Sequence, residues 1–407
     1  MISVGIDVSK NKSDVCILKP GGEVLAPPFE MLHTIEGVLS LVRRLKAYDE
    51  EVRVVLEATG HYHWPVVSLL VEKGIFVTCV NALRMKRYCS LSIRRAKTDR
   101  IDAIQIASYG ITYWSELTAV QPGNDIYDEL RVFSRQYYHY TSLIVKAKIN
   151  LSNLLDRTMP NIQNLLEDRN GGHKLTDFIQ RYWHFANILA MGENDFSSDY
   201  CEWAKKQGYR LNERKAKEIF ALSQNGIPVM PNTSSTKVLM LEAVRVLQEL
   251  EKSRNTILSH MQQLASTLPE YSAVLAMGGV GTTLAPRIIA EIGDIRRFYS
   301  PASLIAYAGI DVPPYQSGSF TATNRNISKR GSKYLRKVGY EIIQSIMRQK
   351  PVEDAATYLF IQKKLSEGKN GKVSKIAGLN KFLRIYYARV NEIYELVENQ
   401  LIFGNEI

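Results

Sequence analysis

The sequence predicts an α/β amino-terminal third followed by an all-α remainder, on three observations. Apolar strand-like runs alternate with a helical segment over the first hundred residues, apolar residues spaced by three and four set in after Gln121, and the tail beyond Phe320 is helical and basic. A chain of 407 residues exceeds one ordinary core, so two or three domains are expected.

"ISVGIDVS" reads as an apolar strand, "DVCILKPGGEVL" as two strands around a Pro-Gly-Gly turn, and "EVRVVLEATG" as a further strand stopped by Gly60. "WPVVSLLVEKG" has helical spacing with Pro65 near its start and Gly74 at its end, and "IFVTCVNA" returns to strand character. Together they predict a mixed sheet carrying helices. Leu130, Phe133, Tyr137, Tyr140, Ile144, Ala147, Leu151 and Leu154 then form the seam of a coiled coil. Met240, Ala243, Leu247, Leu250, Arg254, Ile257, Met261, Leu264 and Leu268 form a second. The two helices pair within one chain or between subunits, or belong to a simple bundle. Between them, residues 160–236 read as an inserted subdomain of small helices. "LAMGGVGTTLAPRIIAEIGDIRRF" places a turn at Gly279-x-Gly281 before a helix from about Thr283 to Ile292, like half of a helix-hairpin-helix, whose amides can hold a phosphate. The domains are therefore expected at 1–118, 119–270 and 271–407.

Lysine plus arginine number 52 against 41 acids, a formal net charge of +11, which favours a polyanionic partner, nucleic acid first. "MISVGIDVSK" lacks a signal-peptide pattern and no apolar run approaches the roughly 20 residues of a membrane helix, so a cytoplasmic location is expected. Cys16, Cys79, Cys89 and Cys201 are scattered, which indicates neither a zinc site nor a disulfide framework.

Four acids stand out. Asp7 interrupts the strand "VGIDVS" and Glu57 ends "VVLE", where ionised groups are costly unless paired or metal-bound. In "RRAKTDRIDA", Asp99 can cap a helix beginning at Arg100, with Asp102 in its first turn favouring the helix dipole. Taken with Asp7 and Glu57, the pair makes four carboxylates that repel unless a divalent cation joins them, and an all-oxygen set suits Mg²⁺, with Mn²⁺ as a substitute. Seven basic residues (Arg84, Lys86, Arg87, Arg94, Arg95, Lys97, Arg100) adjoin these acids and suit a phosphate backbone. A solvated charged face is the plainer reading of any one of them. His61 and His63 are within reach of substrate, or are structural. From Thr321 to Lys350, Arg325, Lys329, Arg330, Lys333, Arg336, Lys337, Arg348 and Lys350 face a single acid, Glu341, with Tyr334 and Tyr340 interleaved; such helices bind phosphates without reading sequence.

The blocks "GIDVSKNKSDV", "LEATGHYHWPVV", "KTDRIDA", "GGVGTTLAPRIIAEIGD", "AYAGIDVPPYQSGSF" and "ISKRGSKYLRKVGY" resemble, in order, those of the DEDD transposases of the insertion-sequence one-hundred-ten family, over roughly residues 1–115 and 270–390. The resemblance implies a RuvC-like domain of ribonuclease H-like fold with Asp7, Glu57, Asp99 and Asp102 as catalytic acids and metal ligands. It also implies a helical carboxy-terminal transposase domain with Ser317, in "YQSG", as nucleophile. A composite site from the two domains, donor and target DNA, a structured guide RNA that pairs with both, and a dimer or tetramer acting at the nucleoid are further implications. Without the resemblance, Ser317-Gly318 is a turn. Residues 160–236 depart from the family by their length. Two other readings stay open: a catalytically dead nucleic-acid-binding relative, and an actin-like kinase, whose first phosphate-binding strand "GIDVSK" also resembles but whose glycine-rich loops are missing.

Overall fold

The computed structural model describes residues 1–57, 62–90, 98–120, 125–166, 172–313, 316–317, 320–321 and 325–403, with side chains for all of these except Leu83, Asp125, residues 316, 317, 320 and 321, and residues 400–403. Arg94, Arg95, Lys97 and His61 lie outside the described residues. The chain divides into two compact units, Met1–Gly123 and Asn124–Ile407.

In the first unit, β1 (Ile2–Val8), β2 (Lys12–Leu18) and β3 (Val24–Leu32) form an antiparallel meander. Gly21 and Gly22, at φ +81° and +83°, make the turn between β2 and β3. After α1 (Ile35–Lys46), β4 (Val52–Glu57) pairs parallel to β1, and after α2 (Trp64–Glu72), β5 (Phe76–Val80) pairs parallel to β4. The resulting order, β3-β2-β1-β4-β5, is that of the ribonuclease H-like fold, as expected. Val4, Ile6, Val54 and Leu56 face one side, where Val38, Leu41 and Leu45 of α1 and Val66, Val67 and Leu70 of α2 bury them.

The other side carries α4 (Asp99–Thr112), which follows α3 (Ala82–Cys89). Ile106 and Tyr109 bury against Val55, and Ala103 and Ala107 against Cys16 and Leu18. Two glycines let the helix lie unusually low. A Cβ on Gly5 would stand 2.3 Å from the Ala103 carbonyl oxygen and 2.3 Å from the Ala107 nitrogen, and one on Gly110 would stand 2.2 Å from Ser3 Oγ.

The second unit is helical. Its long helices α5 (Asp125–Thr158) and α11 (Ser234–Ser266) pack along each other within one chain. Between them run α6 (Ile162–Leu166), α7 (Lys174–Arg181), α8 (Phe185–Met191), α9 (Glu193–Lys206) and α10 (Glu213–Asn225). The aromatic residues of this insert are its core: Phe178, Tyr182, Phe196, Tyr200 and Trp203 meet edge-on or tilted and pack with Ile144, Leu151, Met240 and Leu247 of the two long helices.

The opposite ends of α5 and α11, at Leu130, Tyr137, Met261 and Ala265, belong to a second core. It is shared with α12 (Tyr271–Leu275), α13 (Ala285–Ile292), α14 (Pro301–Ala308), α15 (Lys333–Gln349), α16 (Ala356–Ser366) and α17 (Gly371–Phe403). The seam residues are thus divided between two cores. α13 begins at Ala285, two residues later than expected, and all eight of its residues are buried. Among the described residues, no helix is long and apolar enough to cross a membrane.

Candidate active site

The period of two along a strand fixes which side chains look at α4. Ser3 and Gly5 touch that helix, so Asp7, two residues on, faces the same side; Val55 touches it, so Glu57 does also. β1 and β4 pair Gly5 with Val55 and Ile6 with Leu56, which sets Asp7 and Glu57 side by side at the carboxyl ends of two parallel strands. Open α/β sheets bind ligands at that edge. α4 runs antiparallel to β1, with Gly110 over Ser3 and Ala103 over Gly5, so its amino terminus, with Asp99 and Asp102, lies toward Asp7.

The structure corrects the expected cap. Helix α4 begins at Asp99, and the capping residue is Thr98, whose Oγ1 accepts from the Ile101 amide at 3.3 Å. With threonine as the cap, both aspartates fall in the first turn of the helix. Asp99 is exposed, and Asp7, Glu57 and Asp102 are half-buried.

The electrostatics run the same way. Burial, and then Asp102, Asp99, Glu57 and Asp14 in that order, push the Asp7 carboxyl from 3.8 up to about 6. Burial followed by Asp102 and Glu57 also raises the Cys89 thiol, which puts the last turn of α3 beside the same acids. That helix carries Arg84, Lys86 and Arg87, all exposed. Arg84 is engaged by Glu116 at 2.5 Å and lies over the rings of Tyr109 and Tyr113. Arg100 is exposed in the first turn of α4, and His63 is buried against Trp64, as a structural histidine would be.

Asp14 is the acid that sequence reasoning missed. It pairs with Asp7 across the β1–β2 hairpin and shares a face with Cys16, which packs on α4. Only the hairpin register reveals it; in the sequence it sits among alternating residues of an ordinary strand. The set is all oxygen, and its chemistry fits a hard divalent cation. Among the described residues, no three His, Cys, Asp or Glu side chains converge closely enough to hold one.

In the second unit, Ser317 ends β6 (Gln316–Ser317) and pairs with Phe320 of β7 (Phe320–Thr321) in a short hairpin; its side chain lies outside the description. The base of the loop that carries the hairpin is tied. Ser328 N–H donates to the Asp311 carbonyl at 2.8 Å and its hydroxyl to the Asp311 carboxylate at 2.5 Å, and Lys329 N–H donates to the Gly309 carbonyl at 3.0 Å. Gly331 lies so close that a Cβ there would stand 2.2 Å from the Tyr307 carbonyl oxygen.

The expected basic residues around this loop divide by use. Lys329, Arg330, Lys333 and Lys337 are exposed, and Arg325, also exposed, donates to the Pro313 carbonyl at 3.2 Å. Arg336 donates to the carbonyls of Ala308 and Gly331 at 2.9 and 3.2 Å and so caps the end of α14. Glu341, the acid among them, pairs with buried Arg287 at 2.6 Å.

The chain has relatives among known proteins. The "Pilin gene-inverting protein" of Moraxella bovis is 22% identical over 394 residues, 96% of this chain and 95% of that one. An insertion element IS110 protein of Streptomyces coelicolor is 21% identical over 336 residues, 83% of this chain and 82% of that one. The RuvC structure of Thermus thermophilus aligns with 29% of this chain and 98% of its own, at 15% identity and a TM-score of 0.24. The DEDD transposase model of IS110 matches residues 4–160, and the IS116/IS110/IS902 family transposase model matches residues 271–358, together more than half of the sequence. The acids of the first unit and the serine loop of the second lie in these two matched stretches, and the chain belongs to the IS110 family of transposases, enzymes of DNA transposition and recombination.

Proposed function

We propose that the chain cuts and rejoins DNA strands with Ser317 as nucleophile and a divalent cation held by Asp7, Glu57, Asp99 and Asp102. The observation that carries the reading is half-buried Asp7 with other carboxylates gathered around it; burial first, and then Asp102, Asp99, Glu57 and Asp14, push it up to about 6. A structural role gives no reason to collect like charges at the end of two strands and over a helix amino terminus. A Mg²⁺ or Mn²⁺ ion bound there would supply the Lewis-acid charge that phosphodiester cleavage needs.

The chain's own residues divide the remaining work. The oxygen of Ser317 attacks phosphorus, a serine–phosphate ester forms, and the displaced strand leaves as a free hydroxyl; reversal with a different strand's hydroxyl rejoins the DNA. The exposed cations Arg100, Arg325, Lys329, Arg330, Lys333 and Lys337 position phosphates, joined by Arg94, Arg95 and Lys97. Backbone contacts of this sort carry no sequence, so selection of donor and target falls to a structured guide RNA through base pairing. The relatives described as gene-inverting proteins favour recombination between two DNA sites, and therefore a dimer or tetramer.

The test uses purified protein, supercoiled DNA carrying the element's ends, and Mg²⁺, with and without copurifying RNA. Denaturing gels are expected to show a protein–DNA adduct that Ser317→Ala loses and that chelation prevents; Asp102→Ala is expected to lose cleavage while retaining DNA binding. Robust cleavage by Ser317→Ala would remove the nucleophile, and DNA binding by the native protein without any metal-dependent adduct would leave a binding protein only.

A further inference from the structure

Beside the loop that carries Ser317 lies a cleft of about 630 Å³, within the roughly 300–1,000 Å³ span of small-molecule sites. Its floor is apolar: Ile310 and Ile327 from the two legs of the loop, Phe360 from α16, and Ile376 and Ala377 from α17. Its rim is cationic, with Arg325, Lys372, Lys381 and Arg384, and no carboxylate is among the described residues that line it. Asn326 and Asn380 add amide groups, and Asn380 Oδ1 accepts from Arg384 Nε at 3.0 Å.

These features specify an occupant. An apolar floor with an aromatic ring accepts a flat, weakly polar body by stacking, the two amides can bond to a heterocycle's edge, and four exposed cations at the mouth suit negative charge beside that body. Lys372 lies in the first turn of α17, and Lys381 and Arg384 lie further along the same helix. An apolar peptide would satisfy the floor and leave the cations unanswered. A nucleotide satisfies both.

We propose that this cleft holds one unpaired base of the DNA strand being processed at the adjacent serine loop, with its flanking phosphates on Lys372, Lys381 and Arg384. The proposal rests on the DNA-cutting reading of that loop and goes beyond it, because it assigns a site that extracts a base from the duplex. Extraction is least costly where pairing is already lost, so the cleft would favour strands opened at a cleavage point or displaced by a guide.

The experiment measures binding of the full chain to two otherwise identical DNA probes, one fully paired and one with a single unpaired 2-aminopurine. Ala377→Trp fills the floor; Val373→Trp blocks the mouth from a position that is 56% exposed, where the fold is indifferent to size. Both variants are expected to lose about tenfold in affinity for the unpaired probe, keep native affinity for the paired one, and abolish the change in 2-aminopurine fluorescence. An equal loss on both probes, or no loss on either, overturns the proposal. So does an unpaired-RNA probe that binds with the native affinity of the DNA and shows the same sensitivity to Val373→Trp, or a change in oligomeric state with Val373→Trp while probe binding is unaltered. If the native protein bound neither DNA probe, the DNA-cutting reading itself would fail.

Discussion

Buried Glu291 and half-buried Asp7 have opposite surroundings. Glu291, in the helical unit, is fully buried and raised by that burial, yet its oxygens receive the Ser134 hydroxyl at 2.8 Å and face the Arg135 guanidinium at 3.1 Å, which partly offset the upward push. Glu270, near the end of α11, is treated alike: Tyr127 and Tyr394 donate to its two oxygens at 2.6 and 2.7 Å. Asp7 is only half-buried, and every group that shifts it is another acid. An acid kept for structure is satisfied from within the chain. Around Asp7 the nearby carboxylates instead add to the upward push of burial.

The sharpest way to break this contrast is to move α4. Gly5→Ala would drive a methyl into the backbone of Ala103 and Ala107, which cannot yield as a side chain tip can, so the helix must rise and carry Asp99 and Asp102 with it. A displacement on the order of 1 Å is expected to reduce strand cleavage by about a hundredfold, and overpacking to cost about 3 kcal/mol in urea unfolding of the amino-terminal unit. Cleavage at the native level would show that the position of α4 does not matter to the acids.

β2 and β4 were legible as apolar runs closed by Pro20-Gly21-Gly22 and Gly60, and β1 and β5 by their apolar, β-branched content, whereas β3 runs on through Pro27 and Pro28 to Leu32, past the expected stretch. Helix α1 lies outside the expectations, although Val38, Leu41, Val42 and Leu45 carry the helical spacing on one face. The cap of α4 was misplaced because threonine and aspartate both cap well, and only geometry shows which oxygen reaches the amide. Asp7 and Glu57 could be singled out as charges in apolar strands, whereas Asp14, in an alternating strand, depends on a register no local pattern encodes. Ser317 had no physical signal of its own; the resemblance alone supplied it. The cleft beside its loop joins residues more than fifty positions apart, which composition cannot anticipate.

The helical unit gives the converse test. Arg135→Ala would leave Glu291 buried without its nearest cation and remove a guanidinium that lies 3.5 Å over the Tyr334 ring. The expected cost is about 3 kcal/mol in urea unfolding of that unit, with part of it recovered when Glu291→Leu is added. A loss below about 1 kcal/mol would place the pair with exposed ion pairs of little consequence.

The smallest effect separates the two kinds of acid most directly. Asp7 holds its proton more tightly in the folded chain than in the unfolded one, about 6 against 3.8, so between those values the folded state binds more protons. Stability then falls as pH rises through that interval, and above about 6 the penalty is complete. Asp7→Asn cannot ionise, so in chelated buffer it is expected to melt higher than the native protein at pH 7.5, with the difference shrinking as pH falls through 6 and vanishing below 3.8, where Asp7 is neutral in both states. Added Mn²⁺ is expected to raise the melting point of the native protein at pH 7.5 and leave that of Asp7→Asn nearly unchanged, because the cation stabilises by binding the ionised folded form. A difference between the two proteins that does not vary with pH would mean that neither burial nor the neighbouring carboxylates raise Asp7, and the contrast with Glu291 would fail.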